Sequence, residues 1–278
     1  MVNIIKNDKL KTGWRILLNF QISLHSNDKA LLESIQSYFH GSGYIYIDRQ
    51  FSVYRLSSRE DLPILIDHFS KYPLITQKSA DFELFKQVLD LFNRKDHLTK
   101  EGLQKIVNLR ATLNKGLSPE LKKAFPETNP VPRPLVNNQE IKDSNWLAGF
   151  TSGEGCFMIG VSNSSLYKTG SQVNLRFILS QHYRDSKLME SLTDFLSCGR
   201  YRLHPTRNSG EFIVTKFSSI IDIIIPFFLK YPILGVKAID FLNFCKVAEI
   251  MKVKGHLQKS GLKEIISIKE KMNTKRED

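Results

Sequence analysis

Cysteine is scarce in this sequence of 278 residues, and its three cysteines lie far apart. Cys156, Cys198 and Cys245 form no Cys-x-x-Cys pair, and their odd number argues against a disulfide framework. The pattern predicts free thiols in a reducing compartment. His97 and His256 have no second potential ligand nearby in the sequence, so we interpret them as structural residues and not as metal ligands.

Long hydrophobic runs are also absent. The longest apolar stretch, residues 220–229, is interrupted by Asp222 and Pro226 and is too short to span a bilayer. The sequence contains neither a recognisable secretory signal nor a transmembrane segment, and we expect no membrane partner. No Gly-Lys-Ser/Thr follows the glycines of residues 149–155, which argues against a phosphate-binding loop there.

Acidic residues are fewer than basic ones, with 28 Asp and Glu against 40 Lys and Arg, which gives a net charge of +12. This balance predicts an acidic partner, with nucleic acid first and an anionic membrane second. A generally basic soluble protein is the alternative. The length allows one large domain or two domains of moderate size.

Apolar residues at every second position predict strands at residues 2–4 and 16–24, each with one buried face. Asn27 or Asp28 is predicted to cap a helix with one apolar stripe. A hairpin and three further helices are predicted at residues 44–47 with 51–56, and at 62–69, 82–92 and 103–113.

Three segments recur in the second half of the chain at a nearly constant offset. They are residues 18–25 with 175–182 (offset 157), residues 71–74 with 230–233 (offset 159), and residues 97–103 with 256–262 (offset 159). This recurrence predicts two copies of one α+β unit. Residues 115–142 contain five prolines and few periodic apolar residues, which predicts a linker. The expected domains are residues 1–114 and 143–278.

Residues 146–155 predict a short apolar helix that ends in one carboxylate, Glu154, between two glycines. Gly149 and Gly153 share one helix face. Because glycines weaken a helix, we expect a close neighbour, most naturally a second helix. A flexible loop, or an ordinary helix end capped by Gly155, is the alternative. The offset places the counterpart of Glu154 before Met1, so we expect the first copy to lack this helix.

A pair of two-stranded β ribbons can lie in the DNA major groove and present alternate side chains to base edges. The solvated side of a half-buried sheet is the alternative interpretation of these polar faces. The candidate readers are Asn3, Arg15, Asn19, Gln21, Ser23 and Arg55 in the first copy, and Gln172, Asn174, Arg176, Ser180, Arg200 and Arg202 in the second.

Two further residues are candidates for the chemistry. Glu154 could hold a divalent cation over a phosphodiester, or could be an ordinary surface carboxylate. Lys216 aligns by local sequence with Arg55, and a cation retained in both copies could stabilise transition-state charge or contact a phosphate.

The stretch from Trp146 to Gly155 resembles the signature helix of the LAGLIDADG homing endonucleases. Together with the duplicated unit and the linker, it resembles the two-repeat branch encoded in fungal mitochondrial introns. The resemblance implies an α+β fold of two pseudo-symmetric αββαββα units with saddle-shaped antiparallel sheets, a mitochondrial location, and Mg²⁺-dependent cleavage of a long double-stranded DNA site. It also implies Glu154 and Lys216 as catalytic residues, and Glu154 with the Gly153 carbonyl as metal ligands.

The sequence departs from this family because it carries one motif helix where the family's monomers carry two. We expect sequence upstream of Met1 to supply the other helix and complete a monomer. A decayed gene or pairing with another molecule is the alternative. The chain as it stands is expected to make double-strand breaks inefficiently. Some family members instead assist splicing of their host intron RNA as maturases, which is the competing function.

Overall fold

The computed structural model describes residues 1–273, and the chain divides into two compact units, Met1–Asn138 and Gln139–Asp278. Each unit combines antiparallel strands with helices, so the predicted α+β class is confirmed. No helix in the described part of the chain is long and apolar enough to cross a membrane.

The first unit begins with strands. Its elements are β1 (Val2–Lys6), β2 (Trp14–Leu18), β3 (Phe20–His25), α1 (Lys29–Tyr38), β4 (Tyr44–Asp48), β5 (Phe51–Leu56), α2 (Leu62–Lys71), α3 (Lys78–Asn93), α4 (Lys100–Thr112) and α5 (Pro119–Ala124). Strand β1 pairs with β2, and β5 lies between β3 and β4. The predicted strand 16–24 is therefore two strands, divided at Asn19, whose backbone N–H donates to the Met1 carbonyl.

The second unit contains the complete αββαββα order and then further helices. Its elements are α6 (Ser144–Glu154), β6 (Gly155–Asn163), β7 (Ser171–His182), α7 (Ser186–Phe195), β8 (Arg200–Leu203), β9 (Ser209–Val214), α8 (Phe217–Ser219), α9 (Ile225–Lys230), α10 (Lys237–Lys252) and α11 (Lys259–Glu270). A π-helical turn, Ile220–Ile224, joins α8 to α9. The four strands form one sheet in the order β6-β7-β9-β8.

Strand periodicity places the core of the second unit. In β7, the buried side chains of Val173, Leu175, Phe177 and Leu179 alternate with more exposed residues, so one face of the sheet packs on the helices. The Phe157 ring lies 5.4 Å from the Phe177 ring and contacts the phenylalanines of α9 and α10. The opposite face is left to the polar side chains.

The recurring His-Leu segments have a packing reason. Helices α4 and α11 both follow a short 3₁₀ turn, and each carries a glycine, Gly102 or Gly261, near its start. A Cβ atom at either glycine would overlap a turn carbonyl, that of Asp96 or Gly255 respectively. The matched glycines thus allow the same tight turn-to-helix packing in both units.

The three cysteines are free thiols in the structure. All three are partly buried, and burial raises the pKa of each thiol, that of Cys245 to about 11. A raised pKa leaves little of the reactive thiolate at neutral pH.

The segment predicted as a linker belongs largely to the first unit, whose boundary lies at Asn138. Leu117 and Leu121 are buried in the core of that unit, and the Ser118 hydroxyl caps α5 by accepting from the Leu121 N–H. Arg133 forms a half-buried ion pair with Asp81 at 2.8 Å. The proline-rich segment is therefore packed on the first unit, and its composition did not predict the residues that hold it there.

We predict that Leu121→Ala destabilises the first unit by about 2–5 kcal/mol, because it removes a buried side chain and leaves a cavity. Urea unfolding followed by the fluorescence of Trp14, whose ring lies 5.3 Å from the Phe125 ring beyond α5, measures the change. Glu120→Ala, at an exposed position of the same helix, is the matched control. Equal midpoints for the two variants would indicate that residues 115–138 are an undocked linker.

Candidate nucleic-acid interface and active-site helix

Helix α6 runs directly into strand β6 without a loop. Asp143 caps its start by accepting from the Asn145 N–H at 2.8 Å. Leu147, Ala148 and Thr151 form its buried side, whereas Glu154 is exposed at its last position. The packing of one side of α6 thus presents a carboxylate at the edge of the sheet.

The glycines of α6 have different roles. A Cβ at Gly155 would lie 2.5 Å from Thr151 Cγ2 and 2.7 Å from the Thr151 carbonyl oxygen, so the helix can turn into the strand only because Gly155 lacks a side chain. A Cβ at Gly149 or Gly153 would meet no atom of the described chain within 4 Å. The close neighbour predicted for these two glycines is therefore not found within residues 1–273.

The C-terminal end of α6 is held by the segment around the start of α10. The Ser152 hydroxyl accepts from the Leu234 N–H at 3.0 Å. Lys237 Nζ donates to the Gly153 carbonyl at 3.0 Å and to the Thr151 carbonyl at 3.3 Å. A cation is stabilised near the carbonyls of a helix C-terminus, so this arrangement is favourable in itself.

Sequence reasoning missed Lys237. A signal was present, because Lys237 lies at an offset of 159 from Lys78, the same offset that relates the His-Leu segments. Both lysines begin the long helix of their unit, Lys78 in α3 and Lys237 in α10. The repeat thus retains a lysine at this place, and within residues 1–273 a helix such as α6 lies beside the lysine of the second unit.

The oxygen atoms at the end of α6 fit a divalent cation only in part. Among residues 1–273, no group of three or more His, Cys, Asp or Glu side chains could hold a metal ion. The Glu154 carboxylate and the Gly153 carbonyl are hard oxygen donors on consecutive residues. Mg²⁺ is commonly held by one or two carboxylates together with substrate phosphates and water, so this donor set fits a cation completed by a phosphodiester.

The predicted equivalence of Lys216 and Arg55 is wrong. The offset of 157 makes Ile178 the counterpart of Gln21. Arg55 is the cross-strand partner of Gln21, and Ile213 is the cross-strand partner of Ile178. The counterpart of Arg55 is therefore Ile213. The sequence alignment of Arg55 with Lys216 was three residues out of register, because sequence similarity alone does not determine which residues pair across a sheet.

Lys216 itself lies after β9, at the N-cap position of α8, and its side chain is exposed. Its side chain forms no hydrogen bond or ion pair with any other described residue, although its backbone carbonyl accepts from the Ile220 N–H. The lysine that donates to the carbonyls of the motif helix is Lys237.

The predicted DNA-binding residues of the second unit share one face of its sheet. Gln172, Asn174, Arg176 and Ser180 alternate with the buried residues of β7. Pairing sets Arg200 opposite Ile213, and Arg202 opposite Glu211, which itself faces Ser180. Arg202 Nη2 binds Glu211 Oε2 at 3.0 Å, an acidic neighbour that the sequence analysis did not include.

The face of the first unit follows the same rule with one exception. Asn3 and Arg15 share one side of the β1-β2 sheet, and Gln21, Ser23 and Arg55 share one side of the β3-β5-β4 sheet. The exception is the remaining candidate, Asn19. It is only 6% exposed, and its Oδ1 is buried without a hydrogen-bond partner among the described residues. The break between β2 and β3 places this side chain in a cavity and not on the open face.

That cavity has a volume of about 280 Å³ and lies within the first unit, beside β1. Phe69, Leu74 and Phe82 are among its lining residues, and all three are partly exposed. Their counterparts at the offset of 159 are Phe228, Ile233 and Phe241, which are only 1%, 5% and 4% exposed in the second unit. The second unit carries α6 ahead of its first strand, and its apolar residues are covered.

Comparison with known proteins identifies the family of this chain. The family model described as LAGLIDADG endonuclease matches residues 1–89 and 147–248. The chain belongs to the LAGLIDADG endonuclease family. The resemblance drawn from Trp146 to Gly155 is confirmed.

Two curated members of this family from Neurospora crassa are similar over almost the whole chain. "Probable intron-encoded endonuclease 3" is 41% identical over 95% of this chain, and "Probable intron-encoded endonuclease 2" is 42% identical over 97%. The matches cover 50% and 61% of those proteins, so the chain spans about half to three-fifths of their length.

Solved LAGLIDADG structures share the whole fold. The I-SmaMI homing endonuclease bound to cleaved DNA superposes with a TM-score of 0.97 and 46% identity, over 100% of this chain and 93% of its own. I-GzeII in complex with its DNA target gives a TM-score of 0.92 and 43% identity, over 100% and 94% of the two chains. I-SmaMI has also been solved on an uncleaved DNA target in the presence of calcium ions.

We predict opposite effects for two glycine substitutions in the LAGLIDADG helix. Gly155→Ala forces a Cβ against Thr151 and should destabilise the second unit by about 1–3 kcal/mol. Gly149→Ala meets open space and should leave stability unchanged or raise it by up to about 1 kcal/mol, because alanine favours a helix. Thermal unfolding followed by circular dichroism measures both, and equal losses in the two variants would contradict the geometry at Gly155.

Proposed function

We propose that this chain is a site-specific double-stranded DNA endonuclease of intron homing, or the larger part of one, acting as a monomer in the mitochondrion. The observation that carries the proposal is the arrangement at the end of α6, where Glu154, the Gly153 carbonyl and Lys237 stand beside a polar sheet face. The intron-encoded relatives and the DNA-bound LAGLIDADG structures support it.

In this proposal, DNA binding and DNA cleavage are carried out by different residues. The polar faces of the two sheets contact base edges and phosphates along the duplex and fix its position. Glu154 and the Gly153 carbonyl hold a divalent cation, which we propose to be Mg²⁺. When bound, the cation polarises the scissile phosphodiester and stabilises charge on the attacking or leaving oxygen.

Lys237 has two roles in this proposal. Its ammonium group fixes the carbonyls of α6, which sets the position of Glu154 relative to β6. With a duplex in place, the same ammonium stabilises negative charge that develops on the phosphate oxygens. Lys216 is a phosphate contact in this arrangement, since it is exposed at the end of β9.

We predict that Glu154→Gln lowers DNA cleavage roughly 10²-fold or more while DNA binding remains, because the amide keeps the shape but loses the charge that holds the cation. Cleavage is measured in Mg²⁺ with a supercoiled plasmid that carries the intron-insertion site, by its conversion to nicked and linear forms. Glu249→Gln, at an exposed surface position, is the control. Unchanged cleavage by the Glu154 variant would contradict the role of this carboxylate.

The same variant separates the alternative function. Assistance to intron RNA splicing without cleavage requires a basic surface but no cation at Glu154. Splicing assistance that survives Glu154→Gln, together with a plasmid left intact even when a second motif helix is supplied ahead of Met1, would favour the maturase function over the endonuclease.

A second prediction compares the two lysines. Lys237→Ala should reduce cleavage strongly, since it removes the cation beside the motif carbonyls, whereas Lys216→Ala should mainly weaken DNA binding. Cleavage rates at saturating protein, together with binding measured at two salt concentrations, separate the effects, because loss of a phosphate contact lowers the salt dependence of binding. A larger loss of saturated rate in the Lys216 variant would restore Lys216 as the catalytic cation.

We also propose that the cavity of the first unit is the seat of a helix like α6. Its apolar walls and the buried, unpaired Asn19 Oδ1 support this, as does the coverage of the matching residues in the second unit. Strands β1 and β6 have the same register at the offset of 157. A copy of residues 144–157 placed directly ahead of Met1 would therefore occupy the cavity as α6 packs in the second unit.

A fusion protein tests this seat. A second copy of residues 144–157 fused ahead of Met1 should slow hydrogen–deuterium exchange in α3, whose Phe82 and Phe85 line the cavity. The control fusion carries Leu147→Asp in the added copy only, which places a charge on the side expected to be buried. Equal protection of α3 in the two fusions would show that the cavity does not take this helix.

A further inference from the structure

One guanidinium is held by three strands on the open sheet face of the first unit. Arg55, on β5, donates from Nη2 to Gln21 Oε1 on β3 at 3.1 Å and to the Tyr46 hydroxyl on β4. Its guanidinium carbon also lies 4.9 Å from the centre of the Tyr46 ring. Arg55 is therefore fixed in place before any ligand arrives.

The contact with Arg55 changes what Gln21 can offer to a base. Arginine has only donors, so the Gln21 atom that faces it must be the carbonyl oxygen. One of the two lone pairs of the Gln21 carbonyl oxygen is thus taken by Arg55. A free glutamine contacts adenine with its carbonyl oxygen and its NH₂ group, and in the coupled Gln21 an adenine N6 donor has to share that oxygen with Arg55.

The pair of Arg55 and Gln21 therefore presents more donors than acceptors, because Arg55 has only donors and Gln21 shares its single oxygen with Arg55. In the major groove guanine shows two adjacent acceptors, N7 and O6, whereas adenine shows the N7 acceptor beside the N6 donor. We propose that Arg55 and Gln21 together read a guanine, and that Gln21 without Arg55 reads an adenine. This inference rests on the DNA binding proposed above and names the base that one position of the target contains.

A second pair in the other unit follows the same logic. Arg176 Nε donates to Asn174 Oδ1 at 3.0 Å on β7, so the oxygen of this asparagine is shared in the same way. This pair too presents more donors than acceptors and reads guanine. Arg202 differs, because its partner Glu211 is a carboxylate that keeps free acceptor sites.

The experiment is a binding selection from a randomised duplex DNA library with the full chain in Ca²⁺, followed by sequencing of the bound DNA. The variants are Arg55→Met, which frees the Gln21 carbonyl oxygen, and Gln21→Met, which leaves Arg55 alone. The matched control is Arg59→Met, an exposed arginine that donates to the Asn93 carbonyl. Circular dichroism establishes that each variant is folded.

The wild-type chain should prefer guanine over adenine by about 5- to 150-fold at one position that responds to Arg55→Met. In the Arg55 variant this position should shift to adenine, in the Gln21 variant it should keep guanine, and in the control it should not change. A second position should lose its guanine preference in Arg176→Met, which tests the same rule if the Arg55 variant is unfolded.

Two kinds of failure are distinguishable. If the wild-type chain enriches no sequence, the proposed site-specific DNA binding is wrong. If it enriches a sequence, but the position that responds to Arg55→Met is not a guanine or does not move toward adenine, the reading assigned to Arg55 and Gln21 is wrong. A shift to adenine in Gln21→Met would likewise overturn it.

Discussion

The contact between Gly155 and Thr151 is the constraint on which the candidate site depends. Because Gly155 has no Cβ, α6 passes into β6 without a connecting loop, and Glu154 is fixed one residue before a strand of the sheet. The backbone position of Glu154 is thus set by this close contact. Strand β6 pairs with β7 along nine residue pairs, so the backbone of Glu154 is joined directly to the sheet that carries Asn174 and Arg176.

The lysine at the start of α10 strengthens the same constraint from the other side. The last carbonyls of a helix lack part of their backbone donors, and Lys237 gives a charged donor to the Gly153 carbonyl and to the Thr151 carbonyl, which also accepts from the Gly155 N–H. One of those carbonyls, that of Gly153, is also the expected cation ligand. A cation and the ammonium group therefore both face this end of the helix, and the phosphate of a bound duplex is the anion that makes their proximity favourable.

The sequence contained most of the fold because hydrophobic periodicity determines which side of a strand is buried. Alternation in residues 16–24 and 172–180 located both polar faces, and the constant offset located the duplication. The sequence did not show which residues of neighbouring strands pair with each other, or where a strand is interrupted. The register of β5 and β9 placed Ile213, and not Lys216, opposite the strand that matches Gln21. The break at Asn19 arises from a backbone contact with Met1, and no side-chain pattern marks it.

The composition of a segment does not predict its packing when a few residues are enough to hold the segment to the core. Residues 115–138 are rich in proline, yet Leu121 and the ion pair of Arg133 with Asp81 hold them to the first unit. Lys237 was missed for a related reason. A lone lysine at the start of a helix has no distinctive sequence context, and its meaning appears only when the carbonyls of α6 are placed beside it.

Duplication preserved the backbone of the two units but not the side chains that face outward. Gln21 and Arg55 of the first unit correspond to Ile178 and Ile213 of the second. The buried faces stayed alike because each must fill the same core. The outward faces carry no such constraint, so each could acquire its own hydrogen-bonding pairs. Two faces that differ in this way present different donors and acceptors to the grooves of DNA. Under the proposed DNA binding, a palindromic target would place identical base edges against unlike readers, so the target is expected to have two halves of different sequence.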